Sequence, residues 1–277
     1  SYSPVTPLSA MSGAFLLWGK WILIMQLQDI LYSQGFGTRR ICAGLVQQGW
    51  VRVRKITHDA SQFVECLDAT AEFEPTELCL SVRGVEWPYK ERAYIMLNKP
   101  SGTECSQKPS AYPSIYTLLA APLRQRPVKG MVQGVQAIGR LDQDTTGLLL
   151  LSDDGQFIHR MSSPKKHVPK IYEVTVKHDV TPLQVEQLLA GVLLDDSPKP
   201  VRAAECVCSG ERNLSLTLTE GKYHQVKRMI AAVGNRVVGL HRSRIGNLGL
   251  PSDLPAGQWR WLDGQDLEKL QMAPIPA

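Results

Sequence analysis

A short charged segment that runs directly into a block of leucines constrains the fold of this chain more than any other feature. Residues 138–147 have the sequence IGRLDQDTTG, and residues 148–151 are four consecutive leucines. The leucines, bounded by Gly147 and by the turn sequence DDG at 153–155, predict a buried strand. The charged segment is therefore predicted to be a loop fixed to a core strand, which holds a reactive side chain rigidly. Asp142 is the candidate for that side chain.

The order of the other predicted elements indicates an α+β protein. Apolar runs predict strands at 94–102, 171–176, 203–207, 213–218 and 236–240. Helices are predicted at 115–121, 156–161, 183–189 and 223–233, and a loop is predicted to start at 242–246. Because strands and helices do not alternate regularly, a doubly wound parallel sheet is not expected.

The first 24 residues are hypothesised to be a leader that is non-native or disordered, with Met25 as the native start. Residues 14–25 are apolar except for Gly19 and Lys20. This run is shorter than the roughly 20 apolar residues that a spanning helix needs. Residues 1–12 contain no Lys or Arg, whereas a signal peptide begins with positive charge. No membrane association is expected.

Residues 25–84 predict a small domain with two helices and at least two strands. Thr38 is expected to cap the second helix, and alternation predicts a strand at 50–54. A further strand is predicted at 78–82, and residues 85–92 are predicted to be a linker to a larger domain at 93–272. Basic side chains are concentrated in the first half of the small domain, at Arg39, Arg40, Arg52 and Arg54.

The small domain resembles the alpha-L RNA-binding module named after a ribosomal small-subunit protein. The resemblance rests on the helix–turn–helix–strand pattern and on the basic residues. The sequence departs from that module at 26–28, where QLQ stands in place of its usual Arg-Leu-Asp opening. A helical cap with a solvated basic face is the alternative interpretation.

Charge and cysteine content narrow the choice of partners only slightly. The formal net charge is +5 and the isoelectric point is about 8.9, which permits a nucleic-acid partner without requiring one. Six cysteines are too few for a disulfide scaffold, and Cys206 and Cys208 have the wrong spacing for a zinc site. Free thiols in a reducing cytosol are expected, and the protein is predicted to be cytoplasmic.

Several kinds of chemistry can be weighed from the residues alone. Asp142 and Asp144 are two apart, which suggests a carboxylate pair or a metal site, but spacing identifies no further ligands. No Gly-Lys-Ser/Thr closes a phosphate loop after Gly147. His159, His224 and His241 have no Ser or Cys partner in a recognisable triad signature. Hydrolase chemistry is therefore given little weight.

Four motifs together resemble the bacterial ribosomal pseudouridine synthases of the RsuA type. They are GRLDQDTTGL at 139–148, YIMLNKP at 94–100, KIY at 170–172 and EGKYHQVKRM at 220–229. The resemblance covers about residues 92–265. It implies a mixed, largely antiparallel sheet in an α+β catalytic domain, preceded by an alpha-L module. It implies a site-specific isomerisation of uridine to pseudouridine, which needs no cofactor and no metal.

The same resemblance implies roles for four residues. Asp142 matches the catalytic aspartate, and Tyr172 matches the tyrosine that packs on the flipped base. Lys227 matches a basic residue paired with the catalytic carboxylate, and Arg140 matches an arginine that holds the flipped nucleotide. Elementary chemistry agrees, because a neighbouring cation keeps a desolvated carboxylate ionised and an aromatic face replaces the lost stacking of an extruded base.

The expected partner is ribosomal RNA. Phosphate contacts are predicted for basic residues in the small domain and around the motifs: Arg39, Arg40, Arg52, Arg54, Lys165, Lys166, Lys170, Lys222, Arg228, Arg242 and Arg244. The motif at 220–229 and the sequence LHRSRIG at 240–246 favour 16S rRNA, at the uridine numbered 516 in the family, either free or in a partly assembled small subunit. A 23S rRNA uridine and a non-catalytic assembly role are the alternatives. A monomer is expected.

Overall fold

The computed structural model describes residues 14–17, 20–56, 62–128 and 133–271. The chain divides into two units, each of which is described by itself. The first comprises Ser1–Arg92 and Ala120–Val135, and the second comprises Ala93–Leu119 and Gln136–Ala277. Among the described residues, every helix is too short or too polar to cross a membrane.

The described residues of the first unit form three α-helices and three small sheets. The helices are α1 (Leu27–Gln34), α2 (Arg39–Gln47) and α3 (Ala121–Gln125). The strands are β1 (Ala14–Leu17), β2 (Lys20–Leu23), β3 (Met25–Gln26), β4 (Val51–Lys55), β5 (Val64–Glu65), β6 (Glu72–Phe73), β7 (Leu78–Val82) and β8 (Val85–Pro88). β1 pairs with β2 and β3 with β6, and the third sheet has the order β5-β4-β7-β8. A 3-10 helix lies at Pro75–Glu77.

The predicted leader falls largely outside the described residues. Within it, Ala14–Leu17 and Lys20–Leu23 form an antiparallel pair. The helices of the first unit follow their sequence signals. Leu27, Ile30 and Leu31 are fully buried, and the Thr38 side chain accepts a hydrogen bond from the Ile41 backbone N–H, as predicted for a helix cap.

The predicted boundary of the first unit is wrong in two places. Residues 85–88 form β8 and not a linker, because Arg83 and Gly84, both at positive φ, make a tight hairpin turn that returns the chain onto β7. Residues 120–135 also belong to the first unit. There the buried Arg126 guanidinium donates hydrogen bonds to Gln34 Oε1 at 3.0 Å and to the Lys90 carbonyl at 2.8 Å.

The second unit is built on a nine-stranded sheet. Its strands are β9 (Tyr94–Lys99), β10 (Gln136–Ile138), β11 (Thr146–Ser152), β12 (Lys170–Val176), β15 (Glu205–Gly210), β16 (Asn213–Leu218), β17 (Val237–Ile245), β18 (Leu248–Gly249) and β19 (Trp259–Trp261). A separate hairpin joins β13 (Val192–Leu194) to β14 (Ser197–Val201). The helices are α4 (Gly155–Ser162), α5 (Pro182–Ala190), α6 (Gln225–Ala232) and α7 (Gly264–Gln271), with 3-10 helices at Ile115–Leu118 and Pro164–Lys166.

The sheet is mixed and largely antiparallel, which confirms the predicted α+β class. Its main order is β15-β16-β12-β17-β11-β9-β19, with β10 paired to β11 and β18 to β17. Within this sheet the pairing of β11 with β17 is parallel and the others are antiparallel. Leu148, Leu149, Leu150 and Leu151 are all fully buried, as the leucine block predicts.

Two further predicted elements, at 242–246 and at 115–121, differ from the structure. Residues 242–246 do not start a loop, because Val237–Ile245 is a single strand paired with β12 on one side and β11 on the other. Its polar side chains hide the apolar alternation that marks a strand, and Arg242 is nevertheless buried. In place of the helix predicted at 115–121 there is a short 3-10 turn followed, after a break, by α3.

Candidate active site

A cavity of about 150 Å³ lies in the second unit, and residues of every sequence motif except the first strand line it. One water molecule occupies about 30 Å³ of liquid, so the cavity is large enough for a small organic group. Asp142 comes from the loop between β10 and β11, Tyr172 from β12, Lys227 from α6 and Arg242 from β17. Four separate segments therefore bring their polar side chains to one place.

A buried lysine fixes the loop that bears Asp142. Lys99, at the end of β9, is fully buried, and its ammonium donates to the carbonyls of Pro100, Gln143 and Thr145 at 3.0, 3.2 and 2.9 Å. Burial lowers the pKa of Lys99. The Thr145 N–H donates to the Asp142 carbonyl at 3.1 Å and closes a turn at the acid. Hydrogen bonds within the protein therefore fix the conformation of this loop.

Asp142 lies between two basic side chains. Lys227 Nζ is 3.0 Å from Asp142 Oδ2, and His224 Nε2 is 3.3 Å from Asp142 Oδ1. About a quarter of the Asp142 side chain is exposed. The ammonium and the imidazole contact one carboxylate oxygen each, so both oxygens of Asp142 have a fixed position at the cavity.

Asp144 shares the same lysine. Lys227 Nζ lies 2.6 Å from Asp144 Oδ1. Burial raises the pKa of Asp144, but the hydrogen bond and charge of Lys227 outweigh it, so the pKa lies below its usual value. Burial likewise lowers the pKa of Lys227, and the two carboxylates more than reverse this shift. Asp144 is half exposed, so it is better placed to shape the loop than to react.

Tyr172 and Arg242 also line the cavity. They are register partners on β12 and β17, and the Arg242 guanidinium carbon lies 6.0 Å from the centre of the Tyr172 ring. Arg242 Nε donates to the Leu148 carbonyl at 2.8 Å, while its Nη2 has no hydrogen-bond partner among the described residues. On its other side β17 pairs with β11, and these two strands can lie close together because residue 147 is glycine at φ +104, where a Cβ would lie 2.3 Å from the Arg242 carbonyl oxygen.

The structure separates the residues predicted to bind RNA into three groups. Arg140 lines the cavity with an exposed side chain, and Lys170 and Lys222 also line it. Other predicted residues are exposed, namely Arg40, Arg52, Lys165, Lys166 and Arg244. Apart from Arg242, which also lines the cavity, the rest form ion pairs at the surface: Arg39 with Asp29, Arg54 with Glu86 and Arg228 with Asp196.

Arg242 corrects the prediction of an open phosphate contact. It is only 2% exposed, so it belongs to the cavity wall and not to the outer basic surface. Lys170 is also withdrawn from solvent. Burial lowers its pKa to about 8, and the charge of Arg242 adds to the shift.

Sequence reasoning missed two residues of this site, His224 and Lys99. His224 fits no hydrolytic triad in the sequence, yet in the structure it touches Asp142. It adopts φ +48 at the start of α6, a backbone conformation that non-glycine residues rarely adopt and that local sequence does not reveal. Lys99 stands within a recognised motif, but its role depends on carbonyls more than 40 residues away. In the described part of the chain, no three His, Cys, Asp or Glu side chains are grouped as metal ligands.

Comparison with known proteins identifies the family. The model of the RNA pseudouridylate synthase family matches residues 93–232, which is half of the chain and includes Asp142, Tyr172 and Lys227. The chain therefore belongs to this family of isomerases. It is a pseudouridine synthase of the RsuA type, as the four motifs indicate.

Individual relatives agree with this identification. The chain is 44% identical over 181 residues to the ribosomal small subunit pseudouridine synthase A of Haemophilus influenzae, covering 65% of this chain and 75% of that protein. It is 36% identical over 251 residues to the RNA pseudouridine synthase YtzG of Bacillus subtilis, covering 89% and 98%. A crystal structure of a pseudouridylate synthase, 34% identical, covers 89% of this chain and 99% of its own with a TM-score of 0.59.

Proposed function

We propose that this protein converts one uridine of 16S rRNA to pseudouridine, at the position numbered 516 in the family. The observation that carries the proposal is the geometry of Asp142, held on a fixed loop with the Lys227 ammonium 3.0 Å away inside a cavity. Relatives named ribosomal small subunit pseudouridine synthase A support the choice of RNA. The expected location is the cytoplasm, where the enzyme acts as a monomer.

The reaction exchanges one bond to the ribose for another. The N1–C1′ bond of uridine breaks, the base turns, the C5–C1′ bond forms, and the C5 proton leaves while N1 gains one. Asp142 is the group that acts on the ribose, either by attack at C1′ or by removing a neighbouring proton. Both routes need a carboxylate oxygen directed at the ribose, and the Lys227 ammonium, 3.0 Å away, holds the Asp142 carboxylate in place.

Tyr172 supplies the surface on which the extruded base packs. It is 9% exposed and lines the cavity on the wall formed by β12. An extruded base loses its stacking partners, and an aromatic ring in the pocket compensates for that loss. In this proposal Tyr172 also helps to remove the proton from C5 of the base. Arg242 Nη2, which has no partner among the described residues, is available to an acceptor atom of the nucleotide.

RNA outside the cavity would be held by the basic residues. Arg140 at the cavity and Lys165 and Lys166 near it are exposed and can meet phosphates. In the first unit, Arg40 and Arg52 are exposed, which fits an alpha-L module that binds ribosomal RNA. A partly assembled small subunit is a second form in which the same RNA could be presented.

The test is to map pseudouridine on 16S and 23S transcripts by carbodiimide modification and primer extension after incubation with the protein. We expect one new stop on 16S rRNA with the wild type and none with Asp142→Asn. Asp179→Asn is the matched control, because Asp179 is exposed, lies outside the cavity and pairs only with Arg212 among the ion pairs found.

Each alternative gives a different result. A stop on 23S rRNA alone would replace the proposed substrate. Binding to 16S rRNA with no stop on either RNA would indicate a non-catalytic assembly role. A stop that persists in Asp142→Asn would show that another group is the catalyst.

A further inference from the structure

An exposed aromatic ring lies next to the catalytic cavity, outside the positions that the mechanism uses. Tyr223 is 68% exposed, although its ring is large and mostly apolar. The ring stacks on the imidazole of His224, with centroids 3.8 Å apart and planes 18° from parallel. His224 lines the cavity and contacts Asp142. The ring therefore lies one side chain away from the reacting carboxylate.

The backbone around this ring is fixed. Arg228 Nη1 donates to the Tyr223 carbonyl at 3.2 Å. The buried Gln225 accepts from the Lys222 N–H at 2.8 Å and donates to Glu220 Oε1 at 3.0 Å. The pair is thus held in place before any ligand arrives, and an ordered platform costs less conformational entropy on binding than a mobile one.

We propose that the Tyr223 ring is a stacking platform for the base of a nucleotide next to the target uridine. This inference rests on the proposed function, since it concerns the same RNA. When a uridine is extruded, its neighbours lose a stacking partner. Proteins that bind unpaired RNA replace that partner with an exposed aromatic side chain. The Tyr223 ring is exposed, as such a site requires. It is also close to the target, because it stacks on His224, which contacts Asp142.

The charges around the ring favour a nucleotide over an apolar protein segment. Lys222 directly precedes the Tyr223–His224 pair in sequence, and Lys227 lines the cavity from the helix that follows the pair. A phosphodiester between the target and its neighbour would pass close to these cations. Stacking tolerates any base, because every base has a π-face. The platform therefore selects an unpaired neighbouring nucleotide and not a particular base.

The test measures the Kd of a synthetic small-subunit RNA fragment that contains the uridine converted by the wild type. Tyr223→Ala should raise the Kd about 5- to 150-fold, whereas Tyr223→Trp should keep it near the wild-type value. Tyr112→Ala is the control, because Tyr112 is also exposed (43%) but does not line the cavity. Its Kd should not change.

A second set of fragments identifies the stacked base. Removing the base on one side of the target, to leave an abasic site, should weaken wild-type binding by the same factor and leave Tyr223→Ala binding unchanged. Equal Kd values for wild type and Tyr223→Ala, or equal sensitivity of both to every abasic site, would overturn the platform. Failure of the wild type to form pseudouridine in any ribosomal RNA would instead overturn the proposed function.

Discussion

Lys227 Nζ lies closer to Asp144 (2.6 Å) than to Asp142 (3.0 Å), the acid that faces the cavity. The lysine therefore bridges two carboxylates of one loop. Because the ammonium contacts both carboxylates, its position is restrained from two directions. The more exposed acid restrains the lysine, and the less exposed one is left to meet the substrate.

Removal of the lysine charge should reduce activity strongly. Lys227→Met leaves Asp142 without its ammonium partner, and we expect kcat to fall about 10- to 150-fold, the range for a charge-assisted hydrogen bond. Lys227→Arg should keep most of the activity. Asp144→Asn is the matched control, because an exposed pair contributes less and should change kcat by under about 5-fold. Similar losses in Lys227→Met and Asp144→Asn would contradict this division of roles.

Lys170 predicts a pH dependence of RNA binding. Burial lowers its pKa to about 8, so the side chain is charged below that pH and neutral above it. Wild-type affinity for RNA should therefore fall as the pH rises from about 7 to about 9, and Lys170→Arg should show a weaker fall. The measurement is Kd against pH at constant salt. Parallel curves for the two proteins would exclude Lys170 as the titrating group.

The same shift has a defined sign for stability. In the unfolded chain Lys170 keeps its proton up to the ordinary lysine pKa of 10.5, whereas in the folded protein burial lowers that pKa to about 8. Between these values the unfolded state binds more protons, so this group makes the free energy of unfolding rise with pH. Lys170→Met should flatten that rise in denaturant titrations performed across the window. An equally steep rise in the variant would assign the effect to another group.

Lys165 and Lys166 predict the salt dependence of binding. Both are exposed beside the residues that line the cavity. Neutralising them together as Gln should weaken binding and reduce the slope of log K against log[salt] by about 1.4, the value for two contacts to single-stranded RNA. Lys177→Gln is the control, since Lys177 follows the opposite end of β12 and is exposed. An unchanged slope in the double variant would reject these contacts.

A methyl group added at Gly147 should lower the stability of the protein strongly. At φ +104, with the Arg242 carbonyl oxygen 2.3 Å from an added Cβ, Gly147→Ala should destabilise the second unit by about 1–3 kcal/mol or more. Gly249→Ala is the matched control, because its Cβ would meet no atom within 4 Å. The measurement is the Tm of each variant. Equal Tm values would show that β11 and β17 can separate without cost.

The sequence allowed much of the candidate site to be predicted, because its residues lie in local patterns. The leucine block located β11, and the motifs assigned Asp142, Tyr172 and Lys227, which the structure brings around one cavity. Lys99 and His224 could not be assigned in this way. The partners of Lys99 are distant in sequence, and the position of His224 depends on a backbone conformation that ordinary propensities disfavour.

The limits of strand prediction were also physical. β17 carries His241, Arg242, Ser243 and Arg244, so it lacks the apolar alternation of an ordinary strand. It is a strand because neighbours on both sides satisfy its backbone, and because the guanidinium of Arg242 reaches the Leu148 carbonyl. The segment 120–135 was assigned to the wrong unit for a similar reason. Its place is decided by the buried contacts of Arg126, which no local pattern announces.

The return of residues 120–135 to the first unit means that the chain crosses between the units three times, near residues 92, 119 and 135. The first unit therefore cannot be removed by deleting one continuous segment of the chain. Deletion of residues 1–92 would remove the hydrogen-bond partners of the Arg126 guanidinium, Gln34 and the Lys90 carbonyl. It would also leave α3 in the chain without the rest of its unit. A transfer of the first unit of this chain to another protein would have to move two separate stretches of chain together.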